Sequence, residues 1–468
     1  MIERGFHITT FGCQMNVADS GWLARSLVAR GFREVPQDEA SIHILNTCSV
    51  RDKPEQKVYS EIGRIRSVTE DNPDVLVCVG GCVAQQAGVK LFKRFRQVRL
   101  VFGTDGIASA PDAIMRLTNE RQTRISLLDF SEQFEERPFG LEKSVPPAAF
   151  VSIMQGCNNF CAYCIVPYVR GRQKSREQGA ILDECRMLID RGAREITLLG
   201  QNVNAFGLDA GRGPGAFRDL LYMVADLPGL LRLRFITPHP KDMTQDVVKA
   251  FGDLPTLAPR LHFPLQSGSD RILRLMGRRY DRARFMALVK DLRAARSDIH
   301  FSTDIIVGFP GETEEDFAET LDCMREVGFA ASFSFAYSDR PGTRASLLPD
   351  KRDKKTKLER LARLQGWQYD YSRTVLDGMI GETVQVLLEG EAQDKEPVPG
   401  AVYRTGREEH GHTVIVRVPS ISPFDNGKGG QPGDWAGRLV PVRITGASMH
   451  GLKGELCAAT SYAGQPAA

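Results

Sequence analysis

The stretch Cys157-Asn158-Asn159-Phe160-Cys161-Ala162-Tyr163-Cys164 follows directly on the apolar run Phe150 to Met154. Its three thiols are spaced CxxxCxxC behind what reads as a buried strand. Soft thiolates at such short range select an iron–sulfur cluster, zinc or copper. A cubane takes four ligands, and the all-cysteine sites supply four. A local set of three leaves one iron open to a small molecule, which is a functional arrangement, because a structural site is closed. A zinc knob with a distant fourth ligand is the bland alternative. Disulfides suit poorly a chain whose start, Met1-Ile2-Glu3-Arg4-Gly5, has no secretory pattern.

Working outward, six strand-like runs begin at this stretch: Phe150–Met154, Glu195–Leu199, Leu231–Thr237, Leu261–Pro264, Phe301–Val307 and Ser332–Tyr337. Each ends in a polar or glycine-rich loop. A (β/α) barrel builds its site from the loops at the C-terminal ends of its strands. Six repeats predict a partial barrel, open on one side, so that a macromolecule can present one nucleotide to the interior. Turn-making explains several Gly and Pro residues, but not Gln201, Asn202, Asn204, Gln266 and Asp304 all lying at or just past strand ends. His239 and His262 could serve as ligands or bases, and a satisfied core histidine is the plainer reading.

Upstream, strand and helix patterns alternate from residue 1 to about 127. Strands are expected at Phe6–Phe11, Ile42–Asn46, Val75–Val79 and Leu100–Phe102, and helices at Val17–Arg30, Pro54–Ile65 and roughly Ala84–Phe95. That alternation implies a parallel sheet with helices on its faces. Cys13, Cys48 and Cys82 each fall two or three residues past a strand. Parallel strands put those loops on one edge, where open α/β sheets bind ligands. The expectation is a second incomplete cluster site; buried core cysteines are the plain alternative. Cys78, inside a strand, and the isolated Cys185, Cys323 and Cys457 read as core. The polar, aperiodic segment from Arg121 to about Pro147 reads as a linker.

Downstream, residues 351 to about 376 read as one amphipathic helix, with Leu358, Leu361, Leu364, Trp367 and Tyr371 on one stripe. Its basic start, Lys351 to Lys355, reads as a solvated face. After Gly381 the period becomes two: Thr383–Leu388, Ala401–Thr405, Thr413–Val418, Arg438–Thr445 and Glu455–Ala459 predict a small OB-like β-barrel. Arg404, Arg407, Arg417 and Arg443, beside Tyr403, are its candidates for phosphate and stacking contacts. The last residues, Ser461 to Ala468, read as disordered.

A length of 468 residues suits about three domains. A net charge of +3 announces no nucleic-acid binder, so any basic surface must come from local clustering. Ten cysteines point to metal or redox chemistry. No apolar run is long enough to span a membrane, and the chain reads as soluble and cytoplasmic.

The string from Gln155-Gly156-Cys157 through Cys161 and Cys164 to Pro167, Arg170, Gly171 and Arg172 resembles the methylthiotransferase branch of the radical S-adenosylmethionine enzymes. So do Phe11-Gly12-Cys13-Gln14-Met15-Asn16, Leu198 to Asn204 and Phe333 to Ser338 with Arg340 to Thr343. The resemblance covers nearly the whole chain, in order. It implies an α/β chain with an N-terminal parallel α/β domain (1–127), a linker (128–147), a partial (β/α)6 barrel with its linking helix (148–376), an RNA-binding TRAM barrel (379–447) and a C-terminal extension (448–468). It implies a 4Fe–4S cluster on Cys157, Cys161 and Cys164 that binds S-adenosylmethionine at its open iron. Gln201, Asn202, Gln266 and Asp304 would contact that cofactor, and Cys13, Cys48 and Cys82 would hold an auxiliary 4Fe–4S cluster.

The implied activity is conversion of N6-isopentenyladenosine at position 37, next to the tRNA anticodon, to its 2-methylthio derivative. A flavodoxin or ferredoxin-type donor would supply electrons to a monomeric enzyme. The same chemistry on threonylcarbamoyl-adenosine or on a ribosomal-protein aspartate is the alternative within the family. A non-catalytic, metal-stabilised RNA-binding protein is the alternative outside it. Phe11, Pro238, Asp339 and Arg344 depart from the family pattern, the loop changes near the substrate mouth.

Overall fold

The structure, a computed structural model, describes residues 4–48, 52–72, 74–120, 122–136, 145–393, 398, 401–419, 435–449 and 451–457. The segment 137–144 of the expected linker, 420–434 in the expected TRAM barrel, and 458–468 lie outside the described residues.

The first sheet runs through β1 (Gly5–Thr10), β2 (Arg33–Glu34), β3 (Ile42–Thr47), β4 (Leu76–Gly81), β5 (Val98–Phe102) and β6 (Ile125–Leu127) in the order 2-1-3-4-5-6, every pairing parallel. β3, β4 and β5 are buried along their whole length, as near-continuous apolar strands between two helical layers must be. One layer is α1 (Gln14–Ala29) and α5 (Ala110–Asn119); Trp22, Leu23, Leu27, Ile114 and Leu117 pack there on Phe6, Ile44 and Leu100. The other is α2 (Asp52–Asp71), α3 (Cys82–Ala87) and α4 (Lys90–Arg94), against Leu45, Val77, Val79 and Val101. The expected single helix over Ala84–Phe95 is two, because Gly88 sits at a φ of 58° and ends the first turn-and-a-half. Cys78 is fully buried in this core, and burial pushes its thiol far up.

The polar segment after Arg121 is less free than its composition suggests. Ile125–Leu127 adds an edge strand to β5, and Gly103 N–H donates to the Leu127 carbonyl at 2.7 Å. Further on, Ser131 N–H donates to Asp105 and the carboxylate of Glu136 pairs with buried Arg176 at 2.6 Å. Aperiodic polar residues here make specific bonds to both neighbouring domains.

The second unit holds six parallel strands: β7 (Ala148–Ser152), β10 (Glu195–Leu199), β11 (Arg232–Phe235), β12 (Arg260–His262), β13 (His300–Val307) and β14 (Ala331–Ala336). They form two three-stranded sheets, 11-10-7 and 12-13-14, joined through a single bridge from Leu233 to Leu257. The result is the open arc that six repeats predicted. A short antiparallel ribbon, β8 (Met154–Gln155) with β9 (Lys174–Ser175), pinches off the cysteine loop and its α6 (Val166–Val169). Outside lie α7 (Gln178–Asp190), α8 (Ala216–Ala225), α9 (Gln245–Asp253), α10 (Asp270–Met276), α11 (Arg282–Ala295) and α12 (Glu314–Val327). Their apolar stripes close one large core with Leu198, Phe235, Leu261 and Ile305, where Cys185 and Cys323 are fully buried.

α13 (Lys354–Gly378) lies against the barrel through Leu364 and leads into a closed β-barrel. Its strands are β15 (Thr383–Glu391), β16 (Val402–Arg407), β17 (Thr413–Val418), β18 (Leu439–Ser448) and β19 (Gly451–Leu456). Val386, Val414, Val416, Val442 and Trp435 fill it. The loop between β16 and β17 plugs the N-terminal end of the parallel barrel. Arg232 donates to the carbonyls of Arg407, Glu408 and Gln385, and Arg260 donates to that of His410 at 2.7 Å. Glu408 is wholly buried and accepts the backbone N–H groups of His410 and His412. Among the described residues no helix is long and apolar enough to cross a membrane.

The plug is electrostatically tuned. Burial opposes ionisation of Glu408, but His410 and His412 outweigh it and hold the carboxyl far below its usual range. Burial equally opposes charge on His410, and Glu408 outweighs that and raises it. His300 stacks on His410 with ring centroids 3.8 Å apart, and burial together with those cations pushes it down to about 4. A docked His300 is therefore neutral where a free one titrates near ~6.5. Docking is expected to weaken as pH falls from about 6.5 towards 4, Glu408 staying ionised throughout; His410 acts oppositely, its contribution fading as pH rises through its raised pKa. Limited proteolysis across that range checks this, and pH-independent release of the C-terminal barrel would contradict it. Glu408→Ala should destabilise docking by about 3 kcal/mol in denaturant titrations, since it strands buried cations.

Candidate functional site

The C-terminal ends of β1, β3 and β4 carry Cys13, Cys48 and Cys82, and the structure brings them to one rim. Gly12 permits this: at a φ of 122°, a Cβ there would lie 2.2 Å from that of Cys48. Cys13 as a thiol donates to Asn16 Oδ1 across 3.3 Å. Asn16 is itself fixed by Asn46 and the Thr47 carbonyl at 3.0 and 2.9 Å. As a thiolate, Cys13 accepts from Cys48, and that bond, with the charge of Arg170 helping against burial, holds it well down, to about 5.

Arg170 comes from the other domain. It is buried, and its Nη2 donates to Asn16 Oδ1 at 3.2 Å and lies 3.5 Å from Asp19. Burial works against its charge, but Cys82, Asp19, Cys13 and Cys48 together outweigh that and raise it. A guanidinium placed among three thiols compensates the charge they would carry as ligands.

The CxxxCxxC loop begins at Gly156, where a Cβ would meet the Arg172 carbonyl oxygen at 2.1 Å. Its base is tied by Gly156 N–H to Gln201 Oε1 at 2.6 Å and by Cys157 N–H to the Gly171 carbonyl at 3.3 Å. Asn159 N–H donates to Cys157 Sγ at 3.5 Å. Cys157 and Cys161 are buried and Cys164 half-buried. Burial pushes Cys157 up to about 11 and Cys164 up to about 12, and the neighbouring Cys161 adds to both shifts. Here too one buried guanidinium attends the thiols: Arg278 Nη1 donates to Cys161 Sγ at 3.5 Å while Nη2 and Nε hold the Pro264 carbonyl and Tyr280. Among the described residues no three His, Cys, Asp or Glu side chains converge on one ion position. A cubane spreads its thiolates over separate corners and does not require that convergence.

The two triads share a wall. Cys82 packs on Ile165 and Val169 of the cysteine loop, Thr104 Oγ1 donates to the Val169 carbonyl at 3.0 Å, and Lys174 pairs with buried Asp105 at 2.6 Å.

The strand-end polar residues divide. Asn202 is buried, donates to Asp242 Oδ2 at 2.8 Å, and leaves its Oδ1 without a partner. Gln201 Nε2, Asn159 Nδ2 and His239 Nε2 are likewise buried and unpartnered. Those orphaned atoms, crowded around the cysteine loop, suit a polar organic ligand whose ammonium, carboxylate and ribose need fixed partners. Gln266 is buried at a φ of 70°, its backbone bridging to β13. Asp304 Oδ2 accepts from His262 Nε2 at 3.2 Å, and His262 Nδ1 lies 3.1 Å from the Ser302 hydroxyl. Asn204, by contrast, is used up on the His239 backbone.

Sequence reasoning assigned no role to Arg278, Asp242 or Thr237, and took Arg170 only as part of the string that carried the resemblance. Thr237 sits at a φ of 60° with its hydroxyl on the Gly200 carbonyl. The one signal in the sequence is the position of Arg170, six residues past Cys164. The arginines expected to face RNA on the C-terminal barrel are largely engaged: Arg407 pairs with Glu389 at 3.5 Å, Arg417 with Glu455 at 2.7 Å and Arg404 with Glu391 at 3.7 Å. Tyr403 is buried, its hydroxyl accepting from Val398 N–H.

The contrast between the thiols is measurable. In apo protein Cys13 is expected to alkylate near its full rate at neutral pH, whereas Cys157 and Cys164 react only as pH approaches their raised values. Iodoacetamide labelling read by peptide mass spectrometry across pH checks this; equal rates at pH 7 would contradict it.

Residues 151–324 match the Radical SAM superfamily and residues 5–103 the uncharacterized protein family UPF0004. The chain is 58% identical to the tRNA-2-methylthio-N(6)-dimethylallyladenosine synthase of Oleidesulfovibrio alaskensis, over 97% of this chain and 99% of that one. It is 60% identical to the same-named protein of Nitratidesulfovibrio vulgaris strain Hildenborough, with the same coverage. With that of Geobacter metallireducens it shares 43%, over 97% and 98%. Among solved structures, the radical S-adenosylmethionine methyltransferase TsrM from Kitasatospora setae, with cobalamin and a 4Fe–4S cluster bound, superposes with a TM-score of 0.53 at 15% identity, over 74% of each chain. That likeness is one of fold. At such identity over nearly its whole length, the chain belongs to the tRNA-2-methylthio-N(6)-dimethylallyladenosine synthase family of radical S-adenosylmethionine enzymes.

Proposed function

We propose that this chain converts N6-dimethylallyladenosine at position 37 of tRNA to its 2-methylthio derivative, using two 4Fe–4S clusters and S-adenosylmethionine. The observation that supports the reading is the shared wall: Cys82 packs on Ile165 and Val169, so the loop of one thiol triad lies directly against the loop that carries the other. When bound, a cluster on Cys157, Cys161 and Cys164 with S-adenosylmethionine supplies radical chemistry to an aromatic C–H bond too inert for acid–base attack, and a cluster on Cys13, Cys48 and Cys82 supplies sulfur.

The chain's own residues do the rest. Arg278 and Arg170 hold compensating charge beside the two triads. Gln201 and Asn202, the latter braced by Asp242, orient the cofactor's polar groups. Gln266 and Asp304 serve from the opposite wall, Asp304 steadied by His262. The barrel's open side admits a base, and the plugged opposite end limits water. The base leaves its stack cheaply in a single-stranded anticodon loop. Electron delivery by a flavodoxin or ferredoxin-type donor, action as a monomer and a cytoplasmic setting belong to the same proposal.

Nucleoside mass spectrometry of isopentenylated tRNA incubated with reconstituted protein is expected to show the 2-methylthio product. Product found instead on threonylcarbamoyl-adenosine tRNA or on a ribosomal protein would redirect the substrate assignment. Anaerobic reconstitution should give about eight irons per chain, and Cys157→Ala about four, with cofactor cleavage abolished. Cys13→Ala should also lose about four irons yet keep cleavage while forming no methylthio product; retained sulfur transfer would refute the auxiliary site.

A further inference from the structure

A cavity of about 490 Å³ opens beside the cysteine loop, lined by Asn159, Phe160, Tyr168, Arg274, Arg279 and Arg344 among others. All three arginines are exposed. Arg274 donates only to the Asp270 carbonyl at 3.2 Å, and Arg344 only to the Phe160 carbonyl at 2.7 Å. Among the described residues no carboxylate pairs with any of the three. The arginines of the C-terminal barrel differ, since three of them are spent on glutamates.

Rings are interleaved with these cations. Tyr168 is 45% exposed and meets Phe160 edge-on at 6.1 Å, and the guanidinium of Arg172 lies 5.8 Å from the Phe160 ring centroid. Leu347, three residues past Arg344, is 86% exposed. Phe160 and Arg279 both hold left-handed backbone, at φ of 47° and 55°, a conformation that persists where surroundings clamp it and that clusters at ligand sites. Asn159 on the same wall keeps a buried, unpartnered Nδ2.

Resting on the tRNA reading above, we propose that this mouth grips the RNA strand beside the site itself: Arg274, Arg279 and Arg344 take backbone phosphates and Tyr168 stacks a base. Unpaired guanidiniums track a polyanion, and a half-exposed ring between them accepts any base's π-face. An acidic peptide would satisfy the cations, but only a nucleic acid brings a base for the exposed ring together with each phosphate. The mouth adjoins Cys161 through Arg278, one residue from Arg279, so a strand held there delivers its neighbouring base to the chamber between the triads.

The test is fluorescence anisotropy of reconstituted full-length protein with a synthetic anticodon stem-loop carrying N6-isopentenyladenosine, over a range of salt. Arg274→Ala, Arg279→Ala and Arg344→Ala should each weaken binding about three- to tenfold and flatten the log K against log salt slope by about 0.7. Tyr168→Ala should weaken it about tenfold at unchanged slope, and Tyr168→Phe should restore it. Arg373→Ala, on the far helix and paired with Asp377, should change neither quantity. Iron content and circular dichroism establish that each variant is folded. A triple arginine variant that binds with parental affinity and slope overturns the proposal while leaving the tRNA activity standing. Parent protein that binds no stem-loop overturns the tRNA reading itself. An acidic peptide that competes at this mouth as well as RNA does overturns the RNA assignment.

Discussion

Six thiols in two groups, four of them buried and each group beside one buried guanidinium, set the terms for everything else in this molecule. Thiolates in a low-dielectric interior repel one another and resist ionisation unless a cation lies close. Arg278 meets that demand at Cys161 and Arg170 meets it among Cys13, Cys48 and Cys82. The second arrangement crosses a domain boundary, since Arg170 belongs to the barrel and the thiols to the N-terminal sheet. Separating the two domains would therefore strand a buried cation on one side and leave the thiols uncompensated on the other. Arg170 thus ties the two domains together alongside the apolar contact of Cys82 with Ile165 and Val169.

The barrel's design follows from the same need for a dry, one-sided chamber. Six strands leave an arc, open where a large substrate approaches. The opposite end must be stopped, or water would run through the lumen. The β16–β17 loop does this with a fully buried carboxylate, two histidines and a set of arginine bonds to backbone carbonyls. Bonds to carbonyls rather than to side chains make the seal depend on the loop's backbone path. The OB-like domain is thus a stopper as much as a nucleic-acid module, and most of its arginines serve local ion pairs.

Much was legible in advance because it was local. Strands β4, β5 and β10 are largely buried apolar runs whose ends the sequence marks with glycine or polar residues. The cysteines past β1, β3 and β4 had to share an edge, because parallel strands with right-handed crossovers present their following loops on one side. Asn202 was likewise visible as a polar residue just past a strand end. Gly88, splitting one expected helix into two, and Ile125–Leu127, pairing within a segment that looked like linker, were not. A short edge strand has too few residues to show a period, and a glycine's backbone angle is chosen by what surrounds it.

By itself, the order of residues determined the three-part architecture, the two sets of thiols and the edge on which each set lies, since those follow from periodicity and from spacing along a strand. Tertiary structure alone decided which cation faces which set, that the two sets share a wall through Cys82 and Val169, and which arginines remain unpaired for a partner. Those outcomes depend on contacts between residues far apart along the chain, such as Arg170 with Asn16 and Arg232 with Glu408. No pattern along the chain encodes them, because charge compensation is settled by distance in space.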